Sequence, residues 1–279
     1  MPSVLITGAA RGIGRATALR LAQGGWQVFA GVRRAEDGEA LASEQAGRIT
    51  PLELDVTNAD HLDALERALP EELDALVNNA GVVVIAPVEG VPLSELRRQL
   101  EVNIVGQVAV TQAVLPRLRA SKGRVVFISS VSGRVATPMS GAYNASKFGL
   151  EGLADALRME LAPWGIRVVL VEPAQTDTDL WRQAEGGLDD SVALLDPQHR
   201  ALYEGHIAGY RKSIPRSQRM AAPVEGVAAA IEKALTARRP RARYVVGVPA
   251  RAQAAMAGLT PTKLLDAALS KGTGVPKRL

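Results

Sequence analysis

A tyrosine and a lysine four residues apart carry the clearest chemistry in the sequence. The segment 143–147 (YNASK) lies in a helical pattern, which places the Tyr143 phenol and the Lys147 ammonium on one helix face. A free tyrosine has a pKa of about 10, but a neighbouring cation stabilises the phenolate and lowers that value. The pair therefore predicts a general acid and base that exchanges a proton with a substrate oxygen.

Further polar residues accompany this pair in a fixed order along the chain. The segment 78–81 (NNAG) follows one apolar run, Asn103 lies in a long helical pattern, and Ser130 follows another apolar run. Ser130 is placed at the end of a predicted strand, where its hydroxyl can hydrogen-bond a substrate oxygen. Helices often carry a Tyr-x-x-x-Lys pair by chance, so the co-occurrence of these residues is what indicates catalysis.

A glycine-rich turn follows the first apolar run and leads into a helical pattern. Its G-x-x-x-G-x-G spacing lets the backbone turn sharply and approach a pyrophosphate, whose charge is favoured by amides at a helix N-terminus. A plain strand–helix connection is the alternative, which its place at the first such junction disfavours. The residues predicted to contact a dinucleotide here are Thr7, Gly8, Ala10, Arg11, Gly12, Ile13 and Gly14.

The end of the second predicted strand indicates which dinucleotide binds. A chain that prefers NAD usually offers a carboxylate there to the ribose 2′-hydroxyl, but this strand ends in Arg33 and Arg34, with no acid before Glu36. Arg33 and Arg11 can hold a 2′-phosphate through charge-assisted hydrogen bonds, although either one alone could be a surface cation. The prediction is NADP(H), with NAD(H) less favoured.

Short apolar runs alternate with helical patterns, which predicts a doubly wound α/β fold of Rossmann type with helices on both faces of a parallel sheet. All 279 residues are expected to form one nucleotide-binding domain, with a candidate lid at 178–220 and a C-terminal extension at 248–279. The predicted strands are 4–6, 27–30, 50–54, 75–77, 124–128, 166–171 and 244–247. The predicted helices are 12–24, 35–46, 58–69, 93–119, 142–163 and 223–237, the third with a capping box from Thr57 to Asp60.

Composition excludes several functional classes. The chain is 47% hydrophobic and 22% charged, as expected for a globular protein with a substantial core. Basic residues are scattered and the formal net charge is +4, so no nucleic-acid surface is predicted. The absence of cysteine excludes disulfides and thiol nucleophiles, and no metal site is predicted. No apolar run is long enough for a membrane span and no signal segment precedes Ser3, so a cytoplasmic location is expected.

Together the motifs resemble the short-chain dehydrogenase/reductase superfamily over residues 3 to about 178. The resemblance implies hydride transfer between a nicotinamide and a substrate carbon, with a catalytic tetrad. Tyr143 would exchange the proton and Ser130 would polarise the carbonyl. Lys147 would bind the nicotinamide ribose and lower the pKa of Tyr143, while Asn103 would hold a water relay to Lys147.

Other cofactor contacts are predicted from the strand ends and from the resemblance. Asp55 could accept from the adenine amino group, or could only cap the loop before Thr57. The family commonly has glycine after Pro173, where this chain has Ala174. The remaining residues assigned to the cofactor are Asp55, Val56, Asn79, Ala80, Gly81, Pro173, Ala174, Thr176 and Thr178, together with Arg33, Arg34, Tyr143 and Lys147.

The segments 28–34, 130–134 and 242–269 look like the branch of this superfamily that includes retinol and 17-beta-hydroxysteroid dehydrogenases. Apolar residues in the candidate lid imply a hydrophobic alcohol or ketone, steroid-, retinoid- or lipid-like. These residues are Leu180, Trp181, Leu188, Val192, Leu194, Leu195, Tyr203, Ile207 and Tyr210. The alternatives are a 3-oxoacyl thioester reductase that acts on an acyl-carrier protein and, in another class, a non-catalytic NADP-sensing regulator. By analogy with relatives, a homodimer or homotetramer is expected.

Overall fold

In the computed structural model, which describes residues 1–182, 184–247 and 260–276, seven strands form one sheet. All neighbouring strands are parallel, in the order β3-β2-β1-β4-β5-β6-β7. The strands are β1 Ser3–Thr7, β2 Gln27–Val32, β3 Ile49–Glu53, β4 Ala75–Asn78, β5 Arg124–Ile128, β6 Arg167–Pro173 and β7 Arg243–Val246. The predicted doubly wound α/β fold is confirmed.

Helices cover both faces of the sheet. One face packs against α1, α2 and α11, and the other packs against α3, α5 and α6. The helices are α1 Gly12–Gln23, α2 Ala35–Ser43, α3 Ala59–Ala68, α4 Leu93–Leu100, α5 Gly106–Ser121, α6 Gly141–Leu161, α7 Asp179–Arg182, α8 Ala184–Ala193, α9 Pro197–Leu202, α10 Glu204–Arg219, α11 Val224–Thr236 and α12 Thr262–Gly272.

The strand side chains divide between two apolar clusters. In β5, Val126 and Ile128 pack toward α1 and α11, whereas Val125 and Phe127 pack toward α5 and α6. Successive side chains of a strand point to opposite faces, and here both faces are buried. This double burial explains why the strands are continuous apolar runs and do not alternate with polar residues.

The long helix predicted at 93–119 is interrupted. Residues Glu101–Val105 form a π-helical turn between α4 and α5, and Asn103 lies in it with its side chain fully buried. Such turns occur mostly as single insertions in helices and often at functional sites. The segment 101–105 contains no proline or glycine that would mark a break in the helix, so the sequence did not reveal the turn.

The predicted capping box at Thr57 is wrong. The N-cap of α3 is Asn58, whose side chain accepts from the backbone amides of Asp60 and His61. Thr57 instead donates through its amide and its hydroxyl to the Asp55 carboxylate, at 2.9 and 2.7 Å. The adjacent asparagine is as good an N-cap residue as threonine, which explains the shift of one position.

The 178–220 segment folds into helices α7 to α10 and forms a third apolar cluster. Met139 and Ala86, from two loops of the main domain, pack into this cluster. Leu194 is 52% exposed and does not contribute to it, and the side chains of Leu180 and Trp181 lie outside the described residues. The predicted lid residues found in the cluster are Leu188, Val192, Leu195, Tyr203, Ile207 and Tyr210.

Two glycines join α10 to the end of α12. A Cβ atom built on Gly209 would lie 1.9 Å from the carbonyl oxygen of Gly274, and Gly274 has φ of +75°. The two backbones therefore touch at a point that admits no side chain. Of the predicted C-terminal extension, residues 260–276 are described and 248–259 and 277–279 are not.

We expect Gly209→Ala to detach α12 from α10, because the added methyl group has no space between the two backbones. Limited proteolysis should then cleave within α12 faster than in the wild type, while far-UV circular dichroism stays nearly unchanged. Gly226→Ala is the matched control, since a Cβ at this helical glycine meets nothing within 4 Å. Equal cleavage rates in all three proteins would contradict the packing described.

Candidate active site

The site is organised around the first turns of α6. The ammonium of Lys147 is buried, and its Nζ donates to the carbonyl oxygen of Ile128 at the end of β5, at 2.8 Å. The same Nζ lies 5.8 Å from the centroid of the Tyr143 ring. The helix and the strand end are thereby joined, and the Tyr143–Lys147 pair predicted to share a helix face is adjacent.

The Ser130 hydroxyl lies beside the Tyr143 phenol. Burial raises the pKa of Tyr143, and a hydrogen bond with Ser130 opposes that rise without cancelling it. This direction is opposite to the one predicted from the Tyr-Lys spacing. Burial outweighs the other effects on the phenol, and the Lys147 ammonium is directed to a carbonyl oxygen.

The pKa of Lys147 is also shifted by burial. Burial lowers the pKa of its ammonium from 10.5 to about 8, although the nearby carboxylate of Glu151 acts in the opposite direction. A lysine with a pKa near 8 can hold or release a proton close to neutral pH.

Asn103 is held in a fixed orientation by three hydrogen bonds. Its side-chain oxygen accepts from the amide of Val82 at 2.8 Å, and its Nδ2 donates to the Val82 carbonyl and to the Ser146 hydroxyl, both at 3.0 Å. Ser146 in turn donates to the carbonyl of Tyr143. Asn103 thus touches the catalytic helix through Ser146, a residue that the sequence analysis did not select, since its residue type has no distinctive signal inside a helix.

Thr7 connects the glycine turn to the strand-four segment. Its hydroxyl accepts from the amides of Asn79 and Ala80, both at 2.9 Å. The Asn79 side chain donates back to the carbonyls of Thr7 and Gly8, at 2.9 and 3.0 Å. A Cβ on Gly14 would lie 2.3 Å from the Gly8 carbonyl oxygen, so this position requires glycine. The predicted residues of both segments therefore form one rigid unit.

The glycine turn has the geometry that a pyrophosphate site requires. Gly8 and Gly12 have φ of +64° and +55°, a conformation that side chains disfavour. The first backbone amides of the following helix α1 donate to no side chain of its N-cap residue, Arg11, and the helix has no acidic residue in its first turn. These donors fit an anionic group, and Ala10 and Ile13 pack below them on the core.

The loop after β6 reaches the glycine turn. Pro173 ends the strand, and the Ala174 amide donates to the carbonyl of Val246 at 3.3 Å. Thr176 is buried and donates to the carbonyl of Ala174 at 3.0 Å. Thr178 lies next to Gly12, where an added Cβ would meet its methyl group at 3.3 Å. This brings the two predicted cofactor segments together.

The three arginines at the ends of β1 and β2 differ in how they are engaged. Arg34 holds Asp37 through two hydrogen bonds of 2.9 Å. The contact with Arg34 is the main cause of the lowered pKa of Asp37, to which Arg11 and Arg33 also contribute. Within the described residues, neither Arg11 nor Arg33 forms an ion pair closer than 4 Å. Asp37 was not selected from the sequence, although it is an acid three residues beyond Arg34.

Asp55 performs the capping role that the sequence analysis left open as an alternative. One carboxylate oxygen accepts both hydrogen bonds from Thr57, and the Asp55 amide donates to His61 Nδ1 at 3.0 Å. Burial would raise the pKa of Asp55, but the Thr57 hydrogen bonds and the charge of Arg33 lower it overall. Val56 is buried against Gly106 at the start of α5, and Gly81 lies against the Asn103 side chain. The cofactor role of Asp55 stays a prediction.

The 178–220 segment contacts the residues that precede the catalytic helix. Tyr210 of α10 is buried and hydrogen-bonded to Ser140, the residue that precedes α6. The neighbouring Met139 has φ of +67°, an uncommon conformation for a non-glycine residue, and its side chain is buried in the third apolar cluster. Backbone strain of this kind concentrates at functional sites.

The described residues also bear on metal binding and on membrane insertion. No group of three or more histidine, cysteine, aspartate or glutamate side chains is arranged to hold a metal ion in this part of the chain. Among the same residues, no helix is both long and apolar enough to cross a membrane.

Comparison with known proteins agrees with the fold. Residues 2–188 match the family model described as short chain dehydrogenase. The chain is 35% identical to an NADPH-dependent 3-dehydrocapnine reductase of Ornithobacterium rhinotracheale, over 95% of each chain. It is 37% identical to human retinol dehydrogenase 5, over 96% of this chain and 87% of the relative. It is 34% identical to mouse estradiol 17-beta-dehydrogenase 2, over 97% and 74%.

A solved structure shows the same arrangement. The short chain dehydrogenase of Burkholderia cenocepacia J2315, in complex with NADP, has a TM-score of 0.74 and 26% identity, and the alignment covers 99% of this chain and 98% of that one. The match to the family model extends over more than half of the sequence and includes Ser130, Tyr143 and Lys147. The chain therefore belongs to the short-chain dehydrogenase family of oxidoreductases, and the resemblance to its retinol and 17-beta-hydroxysteroid dehydrogenase branch is confirmed.

Proposed function

We propose that this chain is an NADP(H)-dependent oxidoreductase that interconverts a hydrophobic primary or secondary alcohol with the corresponding aldehyde or ketone. The observation that carries the proposal is the meeting of the Tyr143 phenol, the Ser130 hydroxyl and the buried Lys147 ammonium at the carboxyl end of β5. Ligands of open α/β sheets bind at this end of the strands.

Each polar group has a separate task in this proposal. In the reductive direction, the Tyr143 hydroxyl donates its proton to the carbonyl oxygen as that oxygen gains negative charge. The raised pKa of the phenol keeps it protonated and able to donate. Ser130 orients and polarises the same oxygen, and Lys147 supplies a cation close enough to stabilise the phenolate that remains. A reduced nicotinamide, when bound, supplies the hydride.

Two arginines support the choice of NADP(H). Arg11 precedes α1 and Arg33 follows β2, and both side chains are exposed. The charges of both arginines lower the pKa of the Asp37 carboxyl, so both lie close to it. Arg34 already donates to both carboxylate oxygens of Asp37. Arg11 and Arg33 are therefore the two arginines that would hold a 2′-phosphate. One relative is named an NADPH-dependent reductase, and a structural neighbour was solved with NADP.

A bulky apolar substrate is proposed because of the third cluster. Helices α8 to α10 bring aliphatic and aromatic side chains against Met139, four residues before the proton donor. We propose that the 178–220 segment acts as a lid over this side of the site. The names of the relatives, a retinol and an estradiol dehydrogenase among them, agree with an alcohol or ketone on a large apolar skeleton.

The quaternary state and the location stay predictions. Val105 and Phe148 are half exposed, at 49% and 46%, near the π-helical turn and on α6. Exposed apolar side chains on these helices suit the expected homodimer or homotetramer. A cytoplasmic location is likewise still an expectation.

We expect Tyr143→Phe to lower kcat for ketone reduction about 10²- to 10⁴-fold, the usual contribution of a positioned general acid. The dissociation constant for NADPH, followed by its fluorescence, should stay close to that of the wild type. Tyr244→Phe is the matched control, because the Tyr244 hydroxyl contacts only the amide of Arg241 among the hydrogen bonds described. A regulator without catalysis would be indifferent to both changes, and full turnover by Tyr143→Phe would end the proposal.

Arg33→Gln is expected to weaken NADPH binding about tenfold or more, because a hydrogen bond to a charged group contributes roughly 1.5–3 kcal/mol. Binding of NADH, which lacks the 2′-phosphate, should change little. Arg15→Gln serves as control, since this arginine of α1 is bound to Glu44 at 2.6 Å. Equal losses for both dinucleotides would contradict the assignment of Arg33 to the 2′-phosphate.

The buried Lys147 makes the stability of the protein depend on pH. Between pH 8 and 10.5 the folded chain has released the Lys147 proton while the unfolded chain still holds it. The unfolded state then binds more protons, so stability rises with pH, by at most about 1.4 kcal/mol per pH unit.

Urea unfolding of the wild type and of Lys147→Met measures this contribution, because their difference removes the titration of the other groups. The advantage of the wild type over the variant should increase from pH 8 to pH 10. Lys233→Met, which removes an exposed lysine of α11, is the control for the loss of one positive charge. Parallel curves for wild type and Lys147→Met would show that Lys147 keeps an ordinary pKa.

A further inference from the structure

A network of charged side chains lies behind the catalytic residues. It joins four elements: the turn after Ser130, helix α6, the end of β6 and strand β7. The network consists of Arg134, Glu151, Asp155, Glu172 and Arg243. None of these residues was selected from the sequence, and the proposed proton and hydride chemistry uses none of them.

Glu172 is the centre of the network. Its side chain has no solvent exposure, and it precedes Pro173 at the start of the loop that reaches the glycine turn. Arg134 donates to both of its carboxylate oxygens, from Nε at 2.6 Å and from Nη2 at 2.8 Å. A fork of this kind fixes orientation as well as distance, which a single contact does not.

Arg134 links Glu172 to the turn that carries Ser130. The turn 131–133 is a short 3₁₀ helix with Ser130 as its N-cap, and Arg134 closes it by donating its amide to the carbonyl of Val131. The Ser130 hydroxyl accepts from the amide of Ser132 at 3.1 Å. The position of the Ser130 hydroxyl therefore depends on a turn whose last residue is held by Glu172.

Arg243 ties the same carboxylate to the catalytic helix. Its Nε lies 3.3 Å from Glu172 and 3.1 Å from Glu151, and its Nη2 donates to Asp155 at 2.6 Å. Glu151 lies one turn beyond Lys147 on α6. Strand β7 thus supplies one cation that binds carboxylates of both α6 and β6.

The turn and the helix also touch directly. A Cβ atom on Gly133 would lie 3.0 Å from each of three atoms: the Glu151 Cγ, the Lys147 carbonyl oxygen and the Ser129 hydroxyl. The gap between the turn and α6 therefore admits no side chain. A small displacement of the turn would move Ser130 relative to Tyr143.

We propose that Arg134, Glu172, Arg243 and Glu151 form a positioning network that holds the Ser130 turn in register with α6 and with the loop after β6. This inference rests on the proposed roles of Ser130 and Tyr143. Buried ion pairs contribute little net stability, since the cost of desolvation offsets their attraction. Their contribution here is orientation, because the two hydrogen bonds from Arg134 to Glu172 fix the turn that carries the Ser130 hydroxyl.

The test compares Arg134→Met, Arg134→Lys and the double variant Arg134→Met/Glu172→Gln. The double variant removes both charges, so it tests the role of Arg134 without leaving the buried Glu172 carboxylate with Arg243 as its remaining partner. Arg20→Met is the matched control, because it breaks a pair with Glu232 of 2.7 Å between α1 and α11, away from the site. Three quantities are measured: kcat with a hydrophobic ketone, the dissociation constant for NADPH, and deuterium exchange of the peptide 129–136.

We expect Arg134→Met and the double variant to lose about 10- to 100-fold in kcat, since a small misplacement of a reacting group costs this much. NADPH affinity of Arg134→Met should stay within about twofold of the wild type, because Arg243 still holds Glu172 and the loop after β6 that follows it. Exchange of the 129–136 peptide should become faster while the other core peptides are unchanged. Arg134→Lys, which keeps the charge without the fork, should fall between wild type and Arg134→Met.

The inference is overturned if the folded variants keep kcat and the exchange rate of the turn. It is also overturned if exchange rises throughout the core and NADPH affinity falls with kcat, because the network would then be only structural. If the wild type reduces no ketone, the proposed function fails, and the exchange of the 129–136 peptide still decides whether Arg134 holds the turn.

Discussion

The hydrogen bond from the Lys147 ammonium to the Ile128 carbonyl is the constraint on which the site depends. It crosses from the catalytic helix to the end of the strand that precedes Ser130, so one buried cation sets the distance between the two elements. Burial of an ammonium is costly unless its donors are used, and the carbonyl at a strand end uses one of them. The hydrogen bond does not offset this cost completely, since burial still lowers the pKa of Lys147.

The pKa values of the site residues are set by two opposing effects, burial of the side chain and interactions with neighbouring polar or charged groups. Tyr143 keeps its proton because burial outweighs the hydrogen bond with Ser130. A hydroxyl that is protonated at rest and has a cation beside it is suited to donate to a carbonyl and then to exist briefly as a phenolate. Near the ends of β1 and β2, Arg34 is paired with Asp37, whereas Arg11 and Arg33 form no ion pair closer than 4 Å within the described residues.

The fold was predictable because its signals are local. β-branched runs of strand length, separated by helical patterns and by a glycine turn, indicate a parallel α/β sheet without knowledge of distant contacts. The predicted site segments also come together, since parallel strands deliver their carboxyl ends to one edge. The α3 cap differed by one residue, because Thr57 and Asn58 are both good capping residues and only the contact with Asp55 distinguishes them.

What could not be predicted depends on tertiary surroundings. The π-helical turn at Asn103 is marked by no proline or glycine within it, and the direction of the pKa shift of Tyr143 depends on how deeply the phenol is buried. Glu172 gives no local sign of being buried, because its two arginines come from a turn before it and a strand after it in the chain. Contacts of this range have no sequence pattern.

The central claim is that the Tyr143 hydroxyl transfers a proton to the reacting oxygen. The most direct measurement is a crystal structure of the chain with NADP⁺ and an unreactive ketone or alcohol analogue. The account predicts the Tyr143 Oη within hydrogen-bond distance of the analogue's oxygen, about 2.6–3.2 Å, with the Ser130 hydroxyl on the same oxygen. An analogue bound with its oxygen on other side chains, and with Tyr143 out of reach, would contradict it.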